Sequence, residues 1–259
     1  MRVLRKPVLA LVIFLLMQGI VALLANWIVN PMTHTSLAVS LILSNLITIL
    51  ILQRIHMIRP STLHPWRINW RYAHLGVIAV FLGIFAADLL STILNLPNLM
   101  ENEFMALARN PLGILAIVFI GPIAEEVVFR ESILGYMLLH DVDRWKAILF
   151  SALLFGLIHF NPAQIPFAFI IGILLGIAYA KSRSILFTSF IHIINNGIAI
   201  LEMNLLGESY SEFDIVNVLG GMPLTIIYII ACTILCIIFT REFMQKYHRP
   251  ADNRRRRRR

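Results

Sequence analysis

The chain has 259 residues, of which 59% are hydrophobic and 14% charged, and its formal net charge is +8. A soluble globular domain is about half apolar and about a quarter charged, so this composition excludes a soluble enzyme and a disordered chain. The two cysteines, Cys232 and Cys236, are too few for a disulfide-stabilised secreted domain. The composition therefore indicates a protein that lies within a lipid bilayer. In that setting a basic net charge indicates basic cytoplasmic loops rather than a nucleic-acid partner.

Eight apolar stretches approach or reach the length of about 20 residues that a helix needs to cross a bilayer. The first is too long for the hydrophobic region of a signal peptide, so we expect it to be a retained helix. The fifth and sixth are short, and Pro162 and Pro166 mark the turn between them. The predicted spans are 7–29, 35–52, 72–94, 111–139, 145–160, 165–180, 185–201 and 223–240. The sequence thus predicts an all-α polytopic membrane protein, a bundle of about eight transmembrane helices.

Eight spans would place both termini on the same side of the membrane. All of the 22 basic residues except Arg109 and Arg130 fall on that side, and Arg54, Arg59 and Arg67 lie in one of its loops. Because loops rich in Lys and Arg stay in the cytoplasm, the N-terminus and C-terminus are predicted to be cytoplasmic. The expected location is a bacterial plasma membrane.

The same pattern divides the chain into four predicted regions. Residues 1–109 hold the first three spans, and residues 110–201 hold spans four to seven. Residues 202–250 form an extracytoplasmic loop and the last span, and residues 251–259 form a basic cytoplasmic tail. The arginines at the end of that tail are expected to bind anionic lipid.

Charged residues within a span indicate function, because each costs at least about 2.5–3.5 kcal/mol to insert. The densest cluster is in span four. Glu126 and Arg130 are four residues apart with the acid first, which favours an ion pair on one helix face. Glu125 lies about 100° around the helix and is free to act as a general base.

Two further spans carry polar side chains at a similar depth. His159 lies in span five, and His192 and Asn196 share a face of span seven. Counted at about 1.5 Å per residue, these groups and Glu125 lie roughly 12–21 Å from the cytoplasmic end. We therefore expect one polar cavity near mid-membrane. Asp88 has no evident partner, and a site role, a helix cap, a contact with water or a pairing with Arg130 all stay open.

At these residues the sequence resembles the CPBP intramembrane endopeptidases, a family that includes the type II CAAX prenyl endopeptidases and bacterial bacteriocin-processing and bacteriocin-immunity proteins. The resemblance covers roughly residues 110–201, and elsewhere only the hydrophobicity matches. The matching motifs are Glu125-Glu126-x-x-x-Arg130, Phe155-x-x-x-His159 and His192-x-x-x-Asn196, with a weaker fourth pattern in Phe169-x-x-Gly172-x-x-x-Gly176. The last two glycines also predict close helix packing.

The resemblance implies an endopeptidase that hydrolyses peptide bonds of a peptide or protein substrate in the membrane. It implies that Glu125 and His159 activate a water molecule and that His192 and Asn196 form an oxyanion pocket. Glu126 and Arg130 would support the site. No cofactor is favoured, and zinc held by Glu125, His159 and His192 is the alternative, because two histidines and a glutamate are also a catalytic zinc set.

Two other functions stay open. The chain could be a non-catalytic bacteriocin-immunity or scaffold protein of the same fold. It could also be a small proton-coupled transporter that uses Glu125 and Asp88. Internal symmetry between the two halves would favour a transporter, and the sequence shows none.

Overall fold

The computed structural model describes residues 2–30, 32–65 and 68–248, and all regular secondary structure within these ranges is helical. Arg67 and the basic tail predicted at 251–259 lie outside the described residues. The α-helices of the described chain are α1 Arg5–Ile28, α2 His34–Arg54, α3 Trp70–Leu94, α4 Glu101–Ala108, α5 Pro111–Leu139, α6 Arg144–Leu157, α7 Gln164–Ser182, α8 Ile185–Leu206, α9 Ile215–Val218 and α10 Met222–Lys246. Short 3₁₀ turns occupy Arg2–Leu4, Pro60–Leu63 and Gly207–Glu212.

Seven helices in the described ranges are long and apolar enough to cross a membrane: α1, α2, α3, α5, α7, α8 and α10. The prediction of an all-α polytopic membrane bundle is therefore confirmed. Which face of the bundle is cytoplasmic stays a prediction.

The fifth predicted span, 145–160, is the shorter helix α6, which has 14 residues. At 1.5 Å per residue α6 is about 21 Å long, whereas the hydrocarbon core of a bilayer is about 30 Å thick. Helix α6 is therefore too short to cross that core by itself. Where non-helical backbone lies within hydrocarbon, it is stable only where protein covers it.

Much of the second half of helix α5 is buried within the bundle. Asn110 caps its start, because the side-chain oxygen accepts hydrogen bonds from the N–H groups of Leu112 and Gly113. Every residue from Glu126 to Gly135 is buried. A helix buried on all sides, with charges among its residues, must pair those charges within the protein.

The hydrogen-bond pattern of α5 is wider than α-helical in two places. Residues Leu115–Ile120 and Glu126–Gly135 are π-helical, and the α-helical turn Gly121–Glu125 lies between them. Such π-helical turns are rare and occur often at functional sites. Side chains of neighbouring helices donate to a carbonyl in each one: Asn196 to Ile117 at 3.0 Å and Ser151 to Phe129 at 2.8 Å.

Small residues allow α6 and α7 to approach closely. A Cβ atom at Gly172 would lie 3.0 Å from the Cα of Ala152, and one at Gly176 would lie 3.1 Å from Ile148. A Cβ at Gly156 would lie 3.0 Å from the carbonyl oxygen of Ile165. The glycine pair of α7 thus packs against α6, as its spacing predicts.

Candidate active site

Glu126 is the centre of the buried charge cluster. Its Oε2 accepts a hydrogen bond from Nε of Arg130 at 3.1 Å, and its Oε1 lies 3.1 Å from Nδ1 of His192. The side chains of Glu126 and Arg130 are fully buried, and that of His192 is nearly so. Because a carboxylate only accepts hydrogen bonds, Nδ1 of His192 carries the hydrogen. The orientation of His192 is therefore fixed by Glu126.

Glu125 lies on the open side of this cluster. Its Oε2 is 3.7 Å from Nε2 of His192, and 20% of its side chain is exposed. With His192 protonated, the cluster holds two positive charges, on Arg130 and His192, and two negative charges, on Glu125 and Glu126. The cluster can therefore be neutral overall while one carboxylate stays accessible, which is the arrangement that a general base needs.

His159 lies in the turn just after α6, two residues beyond the helix end. Its Nδ1 is 2.8 Å from the carbonyl oxygen of Phe155. A carbonyl oxygen only accepts, so Nδ1 carries the hydrogen and Nε2 of the neutral ring is left as an acceptor. This side chain can therefore receive a proton at Nε2.

The ring of Phe155 joins the two histidines. Its centroid is 5.1 Å from that of His159 and 5.7 Å from that of His192, both edge-to-face. The guanidinium carbon of Arg130 lies 4.7 Å from the same centroid, within the range of a cation–π contact. The sequence does not reveal this aromatic contact, which connects α6 to α5 and α8.

Asn196 contacts α5 at a different point from the charge cluster. Its Nδ2 donates to the carbonyl of Ile117, and its Oδ1 accepts from Nδ2 of Asn195 at 3.1 Å. One of its two amide hydrogens is thus used to hold a π-helical turn, and the other is available to a ligand. Asn195, which helical spacing alone directs to another face, in fact orients Asn196.

Asp88 does not join this site. Arg130 pairs with Glu126, which excludes the pairing of Arg130 with Asp88. The carboxyl of Asp88 lies instead near Glu202, and both act on Tyr210. Burial and the nearby carboxylates raise the pKa of the Tyr210 hydroxyl to about 12. Asp88 belongs to an acidic region of the bundle and is not one of the residues gathered around Glu126.

A second buried charge cluster was missed by sequence reasoning. Glu131, five residues after Glu126, accepts hydrogen bonds from Nε of Arg59 at 2.5 Å and from its Nη2 at 3.0 Å. The Tyr179 hydroxyl also donates to Glu131. Burial disfavours the charged guanidinium, yet hydrogen bonding and the charge of Glu131 hold the pKa of Arg59 above its ordinary value. The signal available in the sequence was Glu131 itself, a charged residue within the fourth predicted span.

The alternative zinc set does not fit this geometry. Among residues 2–30, 32–65 and 68–248, no three His, Cys, Asp or Glu side chains are arranged to hold a metal ion. The side chains of Glu125, His159 and His192 are among those that form no such arrangement. We therefore derive no catalytic step through a metal.

Comparison with known proteins gives a match over the region that holds the site. The family model described as "Type II CAAX prenyl endopeptidase Rce1-like" matches residues 107–198. Over this region, about a third of its length, the chain is similar to the CPBP endopeptidases. All six candidate residues lie within the matched region: Glu125, Glu126, Arg130, His159, His192 and Asn196.

Two curated bacterial proteins are similar to part of the chain. The "Membrane-embedded CAAX protease MroQ" of Staphylococcus aureus is 30% identical over 112 residues, which cover 40% of this chain and 44% of that protein. The "Putative membrane peptidase YdiL" of Bacillus subtilis is 29% identical over 91 residues, or 35% and 37% of the two chains. The chain thus spans less than half the length of these relatives. No solved structure matches it.

These similarities agree with the fold. Seven long apolar helices and similarity to membrane-embedded proteins of bacteria identify the chain as a multi-pass membrane protein.

Proposed function

We propose that this chain is an intramembrane endopeptidase that hydrolyses peptide bonds of a peptide or membrane-associated protein. The observation that carries the proposal is the asymmetry of the glutamate pair. Glu126 is fully buried and held by Arg130 and His192, whereas Glu125 presents a partly exposed carboxylate beside Nε2 of His192. One acid organises the site, and its neighbour is free to react.

In the proposed first step Glu125 removes a proton from a water molecule. The water oxygen forms a bond to the carbonyl carbon of the peptide, and the carbonyl electron pair moves to its oxygen. His159, whose Nε2 is the free acceptor of its ring, helps to orient the same water. General base catalysis of this kind contributes about 10²–10⁴-fold to the rate.

The tetrahedral intermediate then needs hydrogen-bond donors at its oxyanion. His192 supplies Nε2–H when protonated, with its ring held by Glu126. Asn196 supplies the amide hydrogen that is not donated to Ile117. Collapse of the intermediate breaks the C–N bond, and the proton held by Glu125 passes to the leaving nitrogen, which restores the carboxylate. Preorganised donors of this kind stabilise the charge that develops in the transition state.

The proposed substrate class follows from the position of the site. It lies between helices α5, α6 and α8 of an apolar helical bundle, which favours a membrane-embedded or membrane-bound peptide as the substrate. A signalling or bacteriocin-like peptide fits a bacterial member of the family better than a prenylated protein does. Anionic lipid at the basic face of the bundle is the second proposed partner.

A comparison of cleaved peptides tests the function. Cells that carry the parent chain, Glu125→Gln or Glu242→Gln are compared for the peptide termini present in their membranes and medium. Glu242 is a partly exposed acid of α10 paired with Lys246, so Glu242→Gln makes the same chemical change away from the site. We expect a set of termini shared by the parent and Glu242→Gln and absent from Glu125→Gln. Identical termini in all three would contradict the proposal.

The mechanism is tested separately with the purified chain. Cleavage of a peptide found in that comparison is measured after strict chelation and again after zinc is added back. The water-activating glutamate mechanism predicts full activity after chelation and no gain on zinc addition. Loss of activity that zinc restores would replace it with the metal mechanism.

A further inference from the structure

Asn161 is a fully buried polar residue in the turn after α6. Its Oδ1 accepts a hydrogen bond from the N–H of Leu99 at 3.1 Å, and its Nδ2 donates to Oδ1 of Asn98 at 2.8 Å. Its main-chain carbonyl accepts from the N–H groups of Gln164 and Ile165, at 2.9 and 3.0 Å. One residue thus connects the turn after α6, the start of α7 and the loop between α3 and α4.

The backbone beside Asn161 is held in a strained conformation. Phe160, which lies between His159 and Asn161, has a φ of 50°, in the left-handed region that side chains with a Cβ rarely adopt. Such a conformation persists only where its surroundings hold it. The hydrogen bonds of Asn161 hold this turn on one side, and the contact of His159 Nδ1 with the carbonyl of Phe155 holds it on the other.

The burial of Asn161 makes these bonds necessary. Because Asn161 is fully buried, its polar groups need hydrogen-bond partners from the protein. Asn161 supplies an acceptor for Leu99 and, through its carbonyl, acceptors for two of the N–H groups that a helix start leaves free. Asn98 and Leu99 lie outside the residues 107–198 that match the family model.

We infer that Asn161 is a positioning residue for His159. It acts by hydrogen-bonding the turn that carries His159 to the loop between α3 and α4, which contains Asn98 and is called the Asn98 loop below. This inference rests on the proposed function, since it assigns Asn161 a part in orienting a reacting side chain. The Asn98 loop is then a part of the active site that contributes to its activity. Its role is to fix where Nε2 of His159 points.

The first test compares two buried asparagines. Asn161→Ala is measured beside Asn45→Ala, which removes a buried amide bonded to Gln18 and to the carbonyl of Leu41. With an internally quenched peptide spanning the cleavage site, we expect Asn161→Ala to lower kcat by about 10- to 100-fold with little change in KM, because small misplacement of a catalytic group has effects of this size. Asn45→Ala should keep the parental kcat. Equal kcat for Asn161→Ala and the parent would overturn the inference.

The second test uses Asn98 and covers the case in which Asn161→Ala does not fold. Asn98 acts as an acceptor, from Asn161 and from the N–H of Met100 at 3.4 Å. Because Asn98 is exposed, Asn98→Asp keeps that acceptor, whereas Asn98→Ala removes it. We expect Asn98→Ala to lose kcat and Asn98→Asp to retain it. Equal losses in the two variants would count against the hydrogen bond as the positioning device.

A third measurement does not depend on hydrolysis. Diethyl pyrocarbonate modifies neutral histidine rings, and mass spectrometry gives its rate at His159 relative to the exposed His140. Release of the turn in Asn161→Ala or Asn98→Ala should raise this ratio by about threefold or more, as local opening exposes the ring. An unchanged ratio would overturn the inference. If Glu125→Gln proves as active as the parent, the proposed function fails, and this ratio alone decides whether Asn161 holds His159.

Discussion

Helix α5 carries two buried charge clusters only five residues apart, and they differ in one respect. The first joins Glu126 to Arg130 and His192 and leaves Glu125 partly exposed at its edge. The second joins Glu131 to Arg59 and Tyr179 and leaves no oxygen of Glu131 without a partner. A closed cluster of this kind holds helices together, whereas an open one can bind and transform a ligand.

The difference teaches how to interpret charge inside a membrane protein. Burial alone does not indicate chemistry, since Glu126 and Glu131 are equally buried. The indicator is a titratable group that its neighbours orient but do not fully pair. In this chain Glu125 and Nε2 of His159 meet that description, and the variants below test whether the distinction holds.

The largest expected effect on stability is that of Glu126→Gln. It leaves the buried Arg130 without its counter-charge, and breaking a buried pair costs about 3–5 kcal/mol. Loss of the carboxylate that orients His192 should also lower kcat by about 10- to 100-fold. Thermal unfolding in detergent and peptide hydrolysis measure the two effects. Adding Arg130→Met should restore much of the stability and none of the activity, and recovery of both would contradict the assignment of Glu126 as the organiser of His192.

Glu131→Gln should separate stability from activity. It weakens hydrogen bonds to the charged Arg59, which are worth about 1.5–3 kcal/mol when a charged group is involved. The unfolding temperature should fall, while kcat per folded molecule stays within about twofold of the parent, since no reacting group is touched. A fall in kcat as large as that of Glu126→Gln would show that the two clusters work as one.

A smaller effect is expected at Gly135, which lies against the second cluster. A Cβ atom there would be 2.6 Å from the Tyr179 hydroxyl and 3.1 Å from Nη2 of Arg59. Gly135→Ala should therefore displace the ends of two long side chains and cost about 1–3 kcal/mol. The matched control is Gly19→Ala, because nothing lies within 4 Å of a Cβ at Gly19. Equal unfolding temperatures for the two variants would show that the second cluster accommodates the added methyl group without loss of stability.

The smallest effect is expected at Tyr210, outside both clusters. Because its pKa is raised from 10.0 to about 12 in the fold, its contribution to stability is full below pH 10 and is lost as the pH rises towards 12. Tyr210→Phe should remove this part of the loss of stability at alkaline pH. The expected change in the free energy of unfolding is less than about 1 kcal/mol, because solvent screens the partly exposed hydroxyl. Unfolding temperatures at pH 8 and pH 11 measure it. A parental pH dependence in Tyr210→Phe would contradict the assignment.

Much of the fold could be predicted because membrane insertion leaves a strong signal in the sequence. Each of the long helices carries a predominantly apolar stretch of sufficient length. The pairing of Glu126 with Arg130 was predictable as well, since residues four apart share a helix face. Helix α6 was predicted as a longer span, because its apolar run continues through the turn that holds His159.

The contacts that the sequence did not reveal are those between distant segments. Arg59 and Glu131 are 72 residues apart, and Asn98 and Asn161 are 63 apart. Neither pair follows a helical spacing. The π-helical turns of α5 were also unpredictable, because they alter the spacing on which helix-face reasoning depends. Asn195, in the α-helix α8, shows a separate limit, since its side chain contacts that of Asn196 although successive residues of an ideal helix point apart.

The sequence by itself determined that this chain lies in a membrane as an all-helical bundle and which short segments carry its unusual polar residues. Both follow from the cost of placing a polar or charged group in hydrocarbon, which each stretch of sequence bears locally. Only the tertiary structure decided which of those groups are paired and which are left open. Pairing depends on where the helices bring distant residues together, and that is what separates Glu125 from Glu126 and Glu131.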